Sequence, residues 1–109
     1  MGAIYKVLGQ SNPAATTATT LYTVPAGTNV IVSTINVCNQ SISTDSFRVA
    51  IRPAGATLAA QHYIAYNTAI PAYDSISITI GVTLAATDVI TVYAGTSTLS
   101  FSAFGTEVT

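Results

Sequence analysis

The run Asp74-Ser75-Ile76-Ser77-Ile78-Thr79-Ile80 sets three isoleucines at alternate positions with small hydroxyl side chains between them. An extended chain sorts such a run onto two faces, because successive Cβ atoms of a strand point to opposite sides. Helical winding would scatter the same isoleucines around the cylinder. The pattern returns at 46–52, where Phe47, Val49 and Ile51 are read as inward and Ser46, Arg48, Ala50 and Arg52 as outward, until Pro53 removes a ladder donor. It returns again at 98–104, with Leu99, Phe101 and Ala103 inward. Less regular β-branched runs at 4–8, 19–24, 30–38, 61–66 and 88–94 bring the expected strands to eight.

Turn chemistry falls between these runs, at Ser11-Asn12-Pro13, Pro25-Ala26-Gly27, Pro53-Ala54-Gly55, Ile70-Pro71 and Gly95-Thr96-Ser97. No stretch of ten or more residues carries a 3.6 period. The 109 residues suffice for one core. The expected fold is therefore all-β: one antiparallel β-sandwich domain over residues 1–109, jelly-roll or immunoglobulin-like in topology. Two short echoes, Pro25-Ala26-Gly27 with Pro53-Ala54-Gly55 and Thr57-Leu58-Ala59-Ala60 with Thr83-Leu84-Ala85-Ala86, suit coincidence in a biased composition better than duplication.

Catalytic side chains are scarce. His62 is the one general base with a natural pKa near neutrality, and no Gly-x-Ser-x-Gly elbow accompanies it. Metal-ligand spacings of the Cys-x-x-Cys or His-x-x-x-His kind do not occur. Asp74 and Asp88 read as strand openers that bond nearby turn amides. No enzyme activity, cofactor or metal is expected. A lone cysteine, Cys38, forms no intrachain disulfide, which fits synthesis in a reducing cytoplasm. The opening residues lack a signal-peptide pattern, and no apolar run approaches spanning length, so neither export nor a membrane anchor is expected.

Charge is the unusual quantity. Only 6% of the residues are charged, against roughly 25% in an ordinary soluble protein. A net charge of -1 supplies no basic footprint for nucleic acid. A free monomer protects its sheet edges with Lys, Glu or Pro and its solubility with charge, and this chain has little of either. A permanent assembly resolves the conflict by covering the surface, so a homo-oligomer is expected. Partner-binding residues are sought among Arg48 and Arg52, on one outward strand face, and Tyr63, Tyr66 and Tyr73, whose rings suit an interface better than a sugar platform.

The stretch Thr20-Leu21-Tyr22-Thr23-Val24-Pro25-Ala26-Gly27-Thr28, followed by residues 30–39, resembles a segment of small virion proteins of tailed bacteriophages, notably cyanophages. Residues 47–55 and 82–94 continue the resemblance, which covers most of the chain from Thr20 onward. It implies a β-sandwich built into the particle: a capsid cement, or decoration, protein on the outer capsid surface, made in the host cytoplasm. Such a protein clamps neighbouring subunits of the major capsid protein, often as a trimer. The alternative it leaves open is a tail or baseplate module that binds a host-surface glycan.

Overall fold

The computed structural model describes residues 2–79 and 81–109. Among them run nine strands: β1 (Ala3–Ser11), β2 (Thr19–Thr23), β3 (Asn29–Asn39), β4 (Asp45–Arg52), β5 (Tyr63–Ile70), β6 (Ser75–Ile78), β7 (Val82–Leu84), β8 (Val89–Ala94) and β9 (Leu99–Val108). One sheet has the order β1-β9-β3-β6, with β7 also on β3, and the other has the order β2-β8-β4-β5. Every pairing is antiparallel.

The first strand pairs with the last, the second with β8, the third with β6 and β7, and the fourth with the fifth. That is one long hairpin rolled over so that its arms alternate between sheets, the jelly-roll order. An immunoglobulin-like sandwich would instead group the first, second, fourth and fifth strands. The sequence left both topologies open, because strand pairing over 30 to 100 residues leaves no local mark.

β6 and β7 together replace the single expected strand at 75–80. Ile35 faces Ile78 and Val32 faces Val82, so three steps along β3 match four along its partners. The extra residue divides the strand, and Ile80, expected to point inward, lies outside the described residues. A second correction concerns β5. The expected start at 61 fails because Ala60–His62 form a 3-10 turn, and the strand then runs on to Ile70.

Phe47, Val49, Leu99, Phe101 and Ala103 are buried as expected, with Ile51, Ile76 and Ile78 half-buried against them. Phe47 and Phe101 meet across the two sheets, edge to face, with ring centroids 6.1 Å apart. Ala50 departs from the reading. Its register is outward, but it is buried because the 60–62 turn packs on β4. On β3 the core-facing positions are Val30 and Val32, then Ile35 and Val37. A bulge against β9 between Val32 and Thr34 accounts for the change of phase.

Buried Asn39 closes one end of the core. Its Nδ2 donates to the carbonyls of Ser43, Ile70 and Pro71, and its Oδ1 accepts from the Ser41 N–H. The sequence echoes share hydrogen bonds, though Ala54 has a positive φ that its counterpart Ala26 lacks. Thr28 and Ala56 each donate back to a Pro carbonyl, at 3.3 and 3.0 Å. In the other pair, a side chain accepts the N–H three residues before it: His62 Nδ1 from Ala59 and Asp88 Oδ2 from Ala85.

Candidate functional site: the outer face of the β2-β8-β4-β5 sheet

Arg48 lies on the outer face of β4, opposite Tyr93 of β8. On its other side β5 carries a bulge: Phe47 pairs with Thr68 and Val49 with Ala65, so Tyr66 and Asn67 together face Arg48. Asn67 adopts a φ of 49°, a left-handed conformation that Asn tolerates better than most residues. The bulge sets Tyr66 beside the guanidinium, which stands 4.2 Å from the Tyr66 ring centroid and 4.3 Å from that of Tyr93. Arg48 Nε donates to Asn67 Oδ1 at 2.8 Å. Tyr63 meets Tyr66 edge to face at 4.9 Å, and beside the pair opens a groove of about 620 Å³ lined by Leu58, Ala59, Ala60, Tyr63 and Tyr66.

Five of the other six charged side chains hold the fold. Asp45 accepts from the Ser46 N–H and from both the N–H and the hydroxyl of Thr96. Asp88 accepts from the Ala54 and Ala85 N–H groups, one on each oxygen. Arg52, expected to be a partner anchor, donates to Thr91 Oγ1 and to the carbonyls of Gly55 and Ala56. It ties down the turn that ends β4. Lys6 bridges Glu107 at 3.2 Å, and the other Glu107 oxygen accepts from the Tyr22 hydroxyl. That hydrogen bond holds the Glu107 carboxyl below its usual range, with Lys6 assisting against partial desolvation. Burial, then Glu107, raises the Tyr22 phenol well above its usual 10.0.

Two side chains keep an open end. Among the described residues neither Arg48 Nη makes a hydrogen bond. Asp74 accepts from the Ser75 N–H through Oδ1, and its Oδ2 has no donor among the described residues. Asp74 is exposed at the β5–β6 turn, beside Tyr73, which is 71% exposed with a φ of 56°. Tyr73 therefore sits at a tip, with its N–H bonded to the Ser41 carbonyl of the neighbouring loop, rather than with Tyr63 and Tyr66.

A second bare surface lies at the start of β1. Tyr5, Val7 and Ile31 are 85%, 47% and 48% exposed, and registers through β9 place Tyr5, Thr106 and Ile31 in one outer row. Ile4 shares a row with Glu107 and buried Val30 on the core side, yet it is 58% exposed.

Of the residues singled out in the sequence, Arg48, Tyr63 and Tyr66 come together, while Arg52 and Tyr73 stand apart. The reading missed Tyr93 and Asn67, which strand pairing and a bulge bring to Arg48, and the groove residues Leu58, Ala59 and Ala60, which lie on the loop before β5. Their one sequence signal is Tyr93 in the outward phase of 88–94. His62 is buried and caps its turn. Among the described residues no three His, Cys, Asp or Glu side chains gather as metal ligands. No helix of the described residues is long and apolar enough to cross a membrane.

Fold and surface define a jelly-roll sandwich whose charged side chains all bond to its own chain, Arg48 through Nε alone and Asp74 through Oδ1 alone. No protein-family model matches the sequence, and the comparison with curated proteins finds no match.

Proposed function

We propose that the chain is a structural subunit of a phage particle, a cement protein that binds across major capsid protein subunits and stabilises the head. The observation that carries this reading is the bare apolar stretch of β1. Ala3–Val7 pairs with β9 on one side without interruption, leaves its other edge open, and exposes Ile4, Tyr5 and Val7. The other edges are protected in familiar ways. β2 and β5 carry bulges, and β6 and β7 are four and three residues long. Five residues paired without a break up to the bulge after Val7, with Lys6 turned to Glu107 and three exposed apolar side chains, suit a partner that supplies main-chain pairing and covers those side chains.

Jelly rolls serve in capsids and in lectins alike, so the fold alone does not separate cement protein from glycan-binding tail module. Tyr66 beside its groove favours the second reading. Against it, the Arg48 guanidinium covers a face of Tyr66 that a sugar ring would need, and apolar side chains dominate the groove lining.

The test is co-sedimentation of purified protein with cyanophage capsids stripped of their decoration protein. Saturable binding at a fixed ratio to the capsid subunit, with a rise in the temperature of capsid disruption, is the expected result. Binding to host polysaccharide with none to capsids would give the tail module precedence.

A further inference from the structure

Whereas the other five charged side chains are each tied to the chain through their charged ends, neither Nη group of Arg48 nor Oδ2 of Asp74 makes a hydrogen bond among the described residues. Each stands beside exposed aromatic surface. We infer that copies of this chain associate head to tail, the Tyr73–Asp74 turn of one copy docking on Arg48 and the adjoining groove of the next. The inference rests on the assembly reading only in treating the chain as a subunit.

The geometry favours this occupant at both ends. Stacked between two rings and held at Nε by Asn67, the Arg48 guanidinium presents its Nη1–Nη2 edge. That edge matches the two oxygens of a carboxylate, and little side-chain freedom remains to be lost on binding. The groove offers alanine methyls, Leu58 and the Tyr63 ring to an apolar neighbour of that carboxylate. On the tip, Tyr73 precedes Asp74 directly, and Ile42, 77% exposed, lies on the adjoining loop next to Ser41. The other carboxylates are unsuited, since both oxygens of Asp45, Asp88 and Glu107 already accept hydrogen bonds.

A contact between two different patches is heterologous. It closes into a ring when the rotation per copy divides a full turn and otherwise grows as a filament. Each copy keeps its β1 edge out of the contact, free for a lattice.

The test is light scattering and sedimentation velocity on the full chain and on Asp74→Asn and Arg48→Gln. Asp74→Asn retains the oxygen that accepts from Ser75, and circular dichroism and thermal melts check both folds. Wild-type protein is expected to form a closed oligomer, and each variant to raise its dissociation constant at least tenfold. A mixture of the two variants joins one intact groove to one intact tip, so it should yield dimers and nothing larger. A wild-type monomer at millimolar concentration would overturn the inference, as would oligomers that both folded variants form as well as wild type. Capsid binding by such a monomer would leave the cement reading standing.

Discussion

Asn39 engages three carbonyls and one N–H with a single buried amide, so an apolar replacement of similar size takes a partner from all four, although the Pro71 carbonyl keeps the Asp74 N–H. With about 1 to 3 kcal/mol for each buried polar group left unpaired, and water reaching some of them, Asn39→Leu is expected to cost at least about 2 kcal/mol. Urea unfolding measures it. Nothing around Asn39 in the sequence marks it as buried, because its partners arrive from the loops at 41–43 and 70–71. A second residue-scale expectation concerns pH. Glu107 keeps its charge in the fold below the pH at which the unfolded chain takes up a proton, so its contribution is complete above about 4.5 and fades as pH falls through the lowered folded value. Tyr22 behaves in the opposite sense: the unfolded phenol ionises near 10.0 while the folded one holds its proton, so stability drops above that pH. Thermal melts across pH should give a plateau with both shoulders. Glu107→Gln should flatten the acid shoulder, and an unchanged acid limb in that variant would show that the cluster carries no linkage.

Strands were legible where one face is buried without interruption. The sequences of β4, the first half of β9 and β6 alternate, and burial follows at Phe47, Val49, Leu99 and Phe101, with Ala50 the exception on β4 and the β6 isoleucines only half-buried. β3 looked irregular because its bulge reverses phase midway, and a pairing defect against a distant strand cannot be seen in either strand alone. Gly105 lies opposite Val32 at that bulge, and a Cβ on it would collide with the Ile31 carbonyl. Backbone there cannot step aside as a side chain would, so Gly105→Ala is expected to destabilise by roughly 1 to 3 kcal/mol in denaturant titration. Burial also grades the alternating positions. Phe101, fully buried against Phe47, should lose about 3 to 5 kcal/mol on truncation to Ala. Half-buried Ile78 should lose less, near 1 to 2 kcal/mol, because part of its surface is wet in the fold. Equal losses would mean that a partner or a loop covers β6.

For the whole molecule, scarcity of charge was the feature most readable in the sequence, while its distribution was not: Asp74 and Asp88 both read as strand openers and both arginines as outward anchors, yet Asp88 engages both oxygens, Asp74 one, and Arg52 its own turn. That distribution bears on how a lattice would be held. With Lys6 paired and Arg52 bonded to its own turn, long-range attraction between this subunit and a capsid must be weak, so affinity falls to the apolar β1 edge and to several linked copies. Raising salt from about 50 to 500 mM shortens the Debye length from roughly 14 Å to about 4 Å, which removes steering but barely touches apolar burial. Co-sedimentation with capsids should therefore change less than about threefold across that range. The ring contact should also persist, because a carboxylate seated against a guanidinium between two rings is poorly reached by ions. A charge placed on the edge itself should act strongly. Tyr5→Lys, at an 85% exposed position, leaves the core untouched and is expected to abolish capsid binding while preserving the oligomer. Release of wild-type protein by moderate salt, or full binding by Tyr5→Lys, would move the lattice contact away from β1.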